Sequence, residues 1–487
     1  MRKSLGLLLL AAMAAWAHVG SPDVFYEGDA GPYHLIVTIR TPTVIPGVAQ
    51  VEVRSSANDV DVMHIVPTPL TGPGAKFAPV ADKAQRSKDD PQFFTGSLWM
   101  MTSGSWQVRV TAEGSKGQGV LSVPVPALSS TTKKMQAPLG ILLSFLGLIL
   151  VAGAVSIVGA GVREGQLDPG QVPNRDRMRR ARFVMAATTL FVLAVAALGG
   201  MWWKSEAREY DRHIFKPLDM SATLESGGKL MLHLTDPGWA RWRKVDDLVP
   251  DHNHLMHLYV ISLPGMDHVW HLHPERVGPG EFVQNLPDMA AGKYALYGDI
   301  VHSDGLPETL VTDVTFPTVS GTPLQGDDAA GIGPPLTPGV HDTTKAMLTD
   351  GTQMIWERDP GPLHARRATF FRFRLEDADG QPAHDMELYM GMPGHAAFID
   401  VDRTVFAHIH PSGSVPMASL SLTKNSGSGS MSSMPGMAGM NMSMTESLPP
   451  EVSFLYGFPK PGEYRIFIQA KRGGRVETGV FDAHVEN

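Results

Sequence analysis

The stretch Val269-Trp270-His271-Leu272-His273-Pro274 returns 137 positions later as Phe406-Ala407-His408-Ile409-His410-Pro411. Side chains alternate across a strand, so both histidines of an H-x-H pair leave the same face, two residues apart. That spacing suits two ligands of one metal ion. The echo goes further: Gly292-Lys293-Tyr294 is matched by Gly462-Glu463-Tyr464, and Glu308-Thr309 with Asp313 by Glu477-Thr478 with Asp482. These later landmarks lie about 170 positions apart, so the second copy carries an insertion of roughly 33 residues just after its histidine pair.

The insertion contains Met431, Met434, Met437, Met440, Met442 and Met444 among Ser, Gly, Pro and Asn. It has no apolar periodicity and no core to join, so low complexity accounts for its backbone but not for its choice of methionine. Thioethers are soft ligands, and beside an imidazole pair they point to copper, with silver as the other soft candidate.

In the first copy, the run from Met256-His257 to Ser262 enters a Pro264-Gly265 turn and leaves through His268 to His273. A hairpin about Gly265 places His257 across from His273, near enough to share an ion. The candidate ligands here are His254, Met256, His257, Met266, His271 and His273, while His252 and His268 read as surface or otherwise satisfied side chains. In the second copy His395-Ala-Ala-Phe-Ile-Asp400 and Thr404 to His410 form the matching hairpin, with His395 the approximate counterpart of His257. Its candidates are His395, His408, His410, Met390 and Met392. The two methionines share a strand face with Met386, which suits coordination or core filling equally.

Ahead of the repeats, Arg2 and Lys3, an apolar run and Ala15-Trp16-Ala17 have the layout of a secretory signal, with His18 as the expected mature N-terminus. Residues 18–127 read as a β-sandwich of short alternating runs. A terminal His18 could hold copper through its amine and ring, with His34 or His64 supplying a second imidazole; the plainer view makes all three incidental. Residues 138–162 and 183–203 are apolar stretches long enough to cross a bilayer. The arginine-rich loop at 163–182 between them belongs in the cytoplasm by the positive-inside rule. Both β regions then lie on the outer side, in the periplasm of a cell with an inner membrane. Residues 204–320 and 346–487 form the two repeat domains, the latter with its Met-rich loop at 412–448, and the Gly/Pro/Thr-rich stretch 321–345 reads as a linker.

The 487 residues carry a net charge of -8, 50 Gly, 38 Pro and no Cys. Nothing in this favours a nucleic-acid partner. Without cysteine there are no disulfides and no thiolate-bound metal, which excludes a blue-copper centre. No phosphate-binding loop, dinucleotide fingerprint or nucleophile elbow is present. The expected fold is mainly β: three Ig- or cupredoxin-like sandwiches and a two-helix transmembrane hairpin.

Residues Met390 to His395, Phe406 to Pro411 and Tyr456 to Tyr464, with Leu255-Met-His-Leu258 and His271 to Pro274, resemble cupredoxin-like domains of bacterial exported proteins associated with copper handling. Residues 32–125 are more weakly similar to FixH/YtkA-type β-domains, which accompany cation transport or oxidase assembly. The order of segments is also similar to the B subunit of particulate methane monooxygenase, although residues 18–127 lack the H-x-H of that subunit. The resemblance implies a membrane-anchored copper-binding protein for capture, buffering or delivery, working beside the bilayer with a copper transporter, an oxidase or another membrane complex. A copper-dependent oxidoreductase using His18, and an extracellular interaction module, are the alternatives.

Overall fold

The computed structural model describes residues 23–132, 134–337, 339, 343–425 and 448–487. The signal-like segment, His18 and the methionines from Met431 to Met444 lie outside the described residues. Two units are distinct: Ser129–Ile214, and the flanking residues up to Leu128 together with Phe215–Asn487.

The smaller unit is two helices, Ala137–Glu164 and Arg175–Arg212. Both are long and apolar enough to cross a membrane, and neither buries its apolar window against protein. Leu146, Phe191, Trp202 and Trp203 all face outward, an arrangement water would penalise and lipid would not. The helices pack on each other at Gly159, where a Cβ would run into the Met185 side chain. The second helix begins earlier than the apolar run does. Asn174 caps it, its Oδ1 accepting from Arg177 N at 2.9 Å, so the arginines from Arg175 to Arg182 form its first turns instead of a loop.

The larger unit contains three sandwiches. The first packs a five-stranded sheet, which includes Asp23–Ala30 and Tyr33–Arg40, against a four-stranded one that includes Val60–Pro69. The second packs a four-stranded sheet against a five-stranded one ordered Pro307–Phe316, Gly292–Val301, His257–Leu263, His268–Leu272, Ala329–Ile332. The third has a four-stranded sheet and a six-stranded one in which Arg475–Glu486, Gly462–Arg472, His395–Asp400 and Phe406–Ile409 are successive neighbours. Each sandwich encloses its own apolar core.

A further apolar layer joins the second and third sandwiches. Tyr259, Ile261, Val269 and Tyr297 of the five-stranded sheet meet Ala397, Ile399, Phe406 and Phe467 of the six-stranded one. Both central sheets are therefore covered on both faces, which is why every residue of His395–Asp400 is buried and its sequence lacks polar alternation.

Two stretches differ from their sequence reading. The expected linker contributes Ala329–Ile332 as an edge strand, with His268 opposite Ile332 and His271 opposite Ala329. Glycine makes this possible, because a Cβ on Gly331 would lie 2.5 Å from the Thr478 Cβ of the third sandwich. The segment read as the start of a flexible loop instead makes a helix, Met417–Asn425, and buries Val415 and Leu420 in the core of the first sandwich. Glu27 N donates to Ser412 O at 2.8 Å and Ser414 N to Phe25 O at 2.9 Å, so the chain just past His410 is stitched to the first strand.

Candidate metal centre

The two hairpins obey one register. Leu258 pairs with Leu272, and Ala396 with Ile409. One step outward, His257 stands opposite His273, and His395 opposite His410. On the other side His257 pairs with Asp299 and His395 with Gln469. His395 is thus the strict counterpart of His257, and Asp299 that of Gln469.

Because the two sheets face each other, the histidines of both repeats converge in one buried place. Imidazole centroids lie 4.6 Å apart for His271 and His273, 4.7 Å for His408 and His410, and 5.0 Å for His257 and His408 across the domain boundary. His254 joins through His273 at 4.0 Å. His252, which the sequence reading set aside, sits 5.0 Å from His395 and 4.9 Å from His410. It gets there by backbone geometry: His252 and Asn253 have φ of 49° and 70°, and Met390 and Gly391 of the third sandwich repeat the turn with 50° and 79°. Two successive left-handed residues fold each entering chain back over its hairpin, at a cost that functional sites tend to carry.

The residues around these rings decide which nitrogens are bare. His257 Nε2 faces the Asp251 carbonyl at 3.2 Å, an acceptor only, so Nε2 carries the proton and Nδ1 a lone pair. Thr478 Oγ1 donates to Ala330 O and accepts from Gln469 Nε2, which turns Gln469 Oε1 toward His271 Nδ1 at 2.8 Å. His271 Nδ1 is then the donor and Nε2 is bare. The two bare nitrogens, His257 Nδ1 and His271 Nε2, lie 3.0 Å apart. Two lone pairs at that distance repel unless a cation lies against both.

The same pattern recurs around the cluster. His252 Nδ1 meets Met390 O at 2.8 Å, His273 Nδ1 meets Asp328 Oδ1 at 3.0 Å, His408 Nδ1 meets Asp299 Oδ2 at 3.4 Å and His410 Nδ1 meets Val415 O at 3.4 Å. In all four, the buried Nε2 has no hydrogen-bond partner, and in His395 neither nitrogen has one. A ring that donates one N–H to an oxygen and aims the other nitrogen into a shared space is how metal-bound imidazole is held. A proton is a poor substitute here. Burial pushes the imidazoles of His257, His271, His273, His395 and His410 well below the ordinary histidine range, and the charge each neighbouring imidazole would carry pushes the same way.

The oxygens that orient the rings come from segments sequence reasoning did not connect with them. Asp327 and Asp328 lie in the expected linker; Asp327 Oδ2 reaches His254 Nε2 at 3.1 Å. Asp299 and Gln469 occupy equivalent positions of the two repeats, and each serves the H-x-H of the opposite sandwich. Asp251 accepts from Ala418 N at 2.7 Å, tying the Met417–Asn425 helix to the site.

The remaining candidates lie elsewhere. Alternation turns Met256 away from His257 into the core of the second sandwich, and Met266 packs in the layer between the sheets. Met392 is buried and Met390 offers its carbonyl. His34 and His64 belong to different sheets of the first sandwich. Both nitrogens of His34 are occupied, by Asp29 and Glu27 at 2.8 Å each.

A family model described as "Domain of unknown function (DUF8832)" matches residues 346–487. No curated protein matches the chain. Among solved structures, a tetra-tandem repeat in the extending region of a large adhesion protein is similar at 9% identity and a TM-score of 0.17, covering 91% of this chain and 72% of its own. A Salmonella alpha-2-macroglobulin is similar at 9% identity and 0.18, covering 96% of this chain and 24% of its own. At such scores nothing about arrangement or activity carries over.

Proposed function

We propose that this chain is a membrane-anchored copper-binding protein, held by its two apolar helices with the β unit on the periplasmic side, and that copper sits among the imidazoles where the two repeats meet. The supporting observation is the facing pair of bare nitrogens, His257 Nδ1 and His271 Nε2, at 3.0 Å inside a cluster whose other rings are likewise oriented for a ligand. All-imidazole sites suit copper and zinc. The six methionines in the same chain, with no cysteine, favour copper. Burial between two domains suits retention of the ion over rapid exchange, so holding copper is the primary role and delivery requires the domains to part. By the positive-inside rule, the arginines at the start of the second helix support a cytoplasmic side for that end and an outer side for the β unit.

The test is metal retention by the full chain in detergent. Purified protein exposed to equal copper and zinc and then dialysed should keep copper, and saturating copper should raise its melting temperature, since a ligand of the folded state alone stabilises it. The double variant His271→Ala/His408→Ala should lose both effects. Zinc retention in place of copper, or an unchanged melt with either metal, would defeat the reading.

A further inference from the structure

We propose that the interdomain cluster is a two-ion centre, one ion held by His252, His395 and His410 and its neighbour by His257, His271 and His408. This rests on the copper reading above and deepens it.

Six of the donor nitrogens fall into these two groups, each with its members within 4.8 Å of one another. A single ion cannot serve both. Metal–imidazole bonds are about 2.0–2.1 Å, so the ligand atoms of one ion lie within about 4.2 Å of one another, whereas the six nitrogens fall into two close sets and not one. The groups are nevertheless adjacent, because the third sandwich's H-x-H gives one imidazole to each: His408 to one, His410 to the other. Each ion also takes ligands from both repeats, two from the third sandwich and one from the second in the first case, the reverse in the other. His252, the least expected ligand from sequence, is needed only because there is a second ion.

The experiment uses the full chain in detergent with the six methionines Met431 to Met444 replaced by serine, which removes thioether-bound copper from the count. Two copper ions per chain should survive dialysis, with an electron paramagnetic resonance intensity below two independent Cu(II) because the ions are coupled. His252→Asn, chosen because asparagine accepts a left-handed backbone, should leave one copper with a full mononuclear signal; His395→Ala provides a second route to the same state. One copper per chain, unchanged by His252→Asn, would overturn the two-ion centre and leave the copper reading standing. No retained copper would overturn both.

Discussion

His34 and His271 show how one residue type acquires opposite roles from the atoms around it. Glu27 and Asp29 bracket the His34 ring, and their hydrogen bonds outweigh its partial burial and raise its pKa to about 9. Its unfolded value is about 6.5. The raised folded value means the ion pairs contribute their full stability below about pH 6.5 and lose it as pH climbs through 9. Because the ring is 36% exposed, solvent screens the pairs and the amount is below about 1 kcal/mol. An NMR titration of the His34 ring should show a midpoint near 9, falling toward the ordinary value in Glu27→Gln; an ordinary midpoint in the unaltered protein would contradict the geometry. His271 is enclosed and neutral, and the Gln469 Oε1 acceptor fixes its single proton on Nδ1. The H-x-H pairs were legible in the sequence because a period of two puts both rings on one face. His252 was not, because its approach depends on a left-handed turn whose signal, His-Asn against Met-Gly, shows only when the two repeats are laid side by side.

At the scale of elements, both helices and the two His-bearing hairpins were readable, the helices from apolar length, the first hairpin from its Pro264-Gly265 turn and the second from its likeness to the first. The stretch 321–345 was not. Gly, Pro, Thr and Asp there suggest a tether, yet glycine is present because the segment slides between two sandwiches as an edge strand. Composition cannot separate a glycine that gives freedom from one that gives closeness. Gly331→Val separates them: its Cβ would begin 2.5 Å from Thr478, so the strand must shift. Overpacking of this kind costs about 1–3 kcal/mol. Chemical denaturation should register that loss, together with weaker copper binding, since Asp327 and Asp328 hang from the same segment. A neutral Gly331→Val would return the stretch to the status of a tether. Gly326, with open space around it and a φ of 63°, should tolerate Asn with little effect on either measurement.

For the whole molecule, the duplicated sandwich matters because its copies are packed face to face, so that the sheet side which would be wetted in a lone domain becomes a second core crowned by histidines. Repetition was visible in the chain; the way the copies meet was not, since an all-buried strand such as His395–Asp400 reads only as apolar. The layer and the histidine cluster should therefore depend on each other. Phe406 stacks on Tyr297 across the boundary at 4.5 Å and 7°, and leaves its strand on the same face as His408. Phe406→Ala should cost about 3–5 kcal/mol and also weaken copper binding about 10-fold or more, as loss of ligand support does. Leu232→Ala, in the second sandwich's own core, should cost a similar amount, about 2–5 kcal/mol, yet leave copper per folded chain unchanged. Paired denaturation and copper titration of the two variants decide the matter: equal copper loss in both would mean that the site feels only general stability, whereas loss confined to Phe406→Ala would show that the union of the repeats is what assembles it.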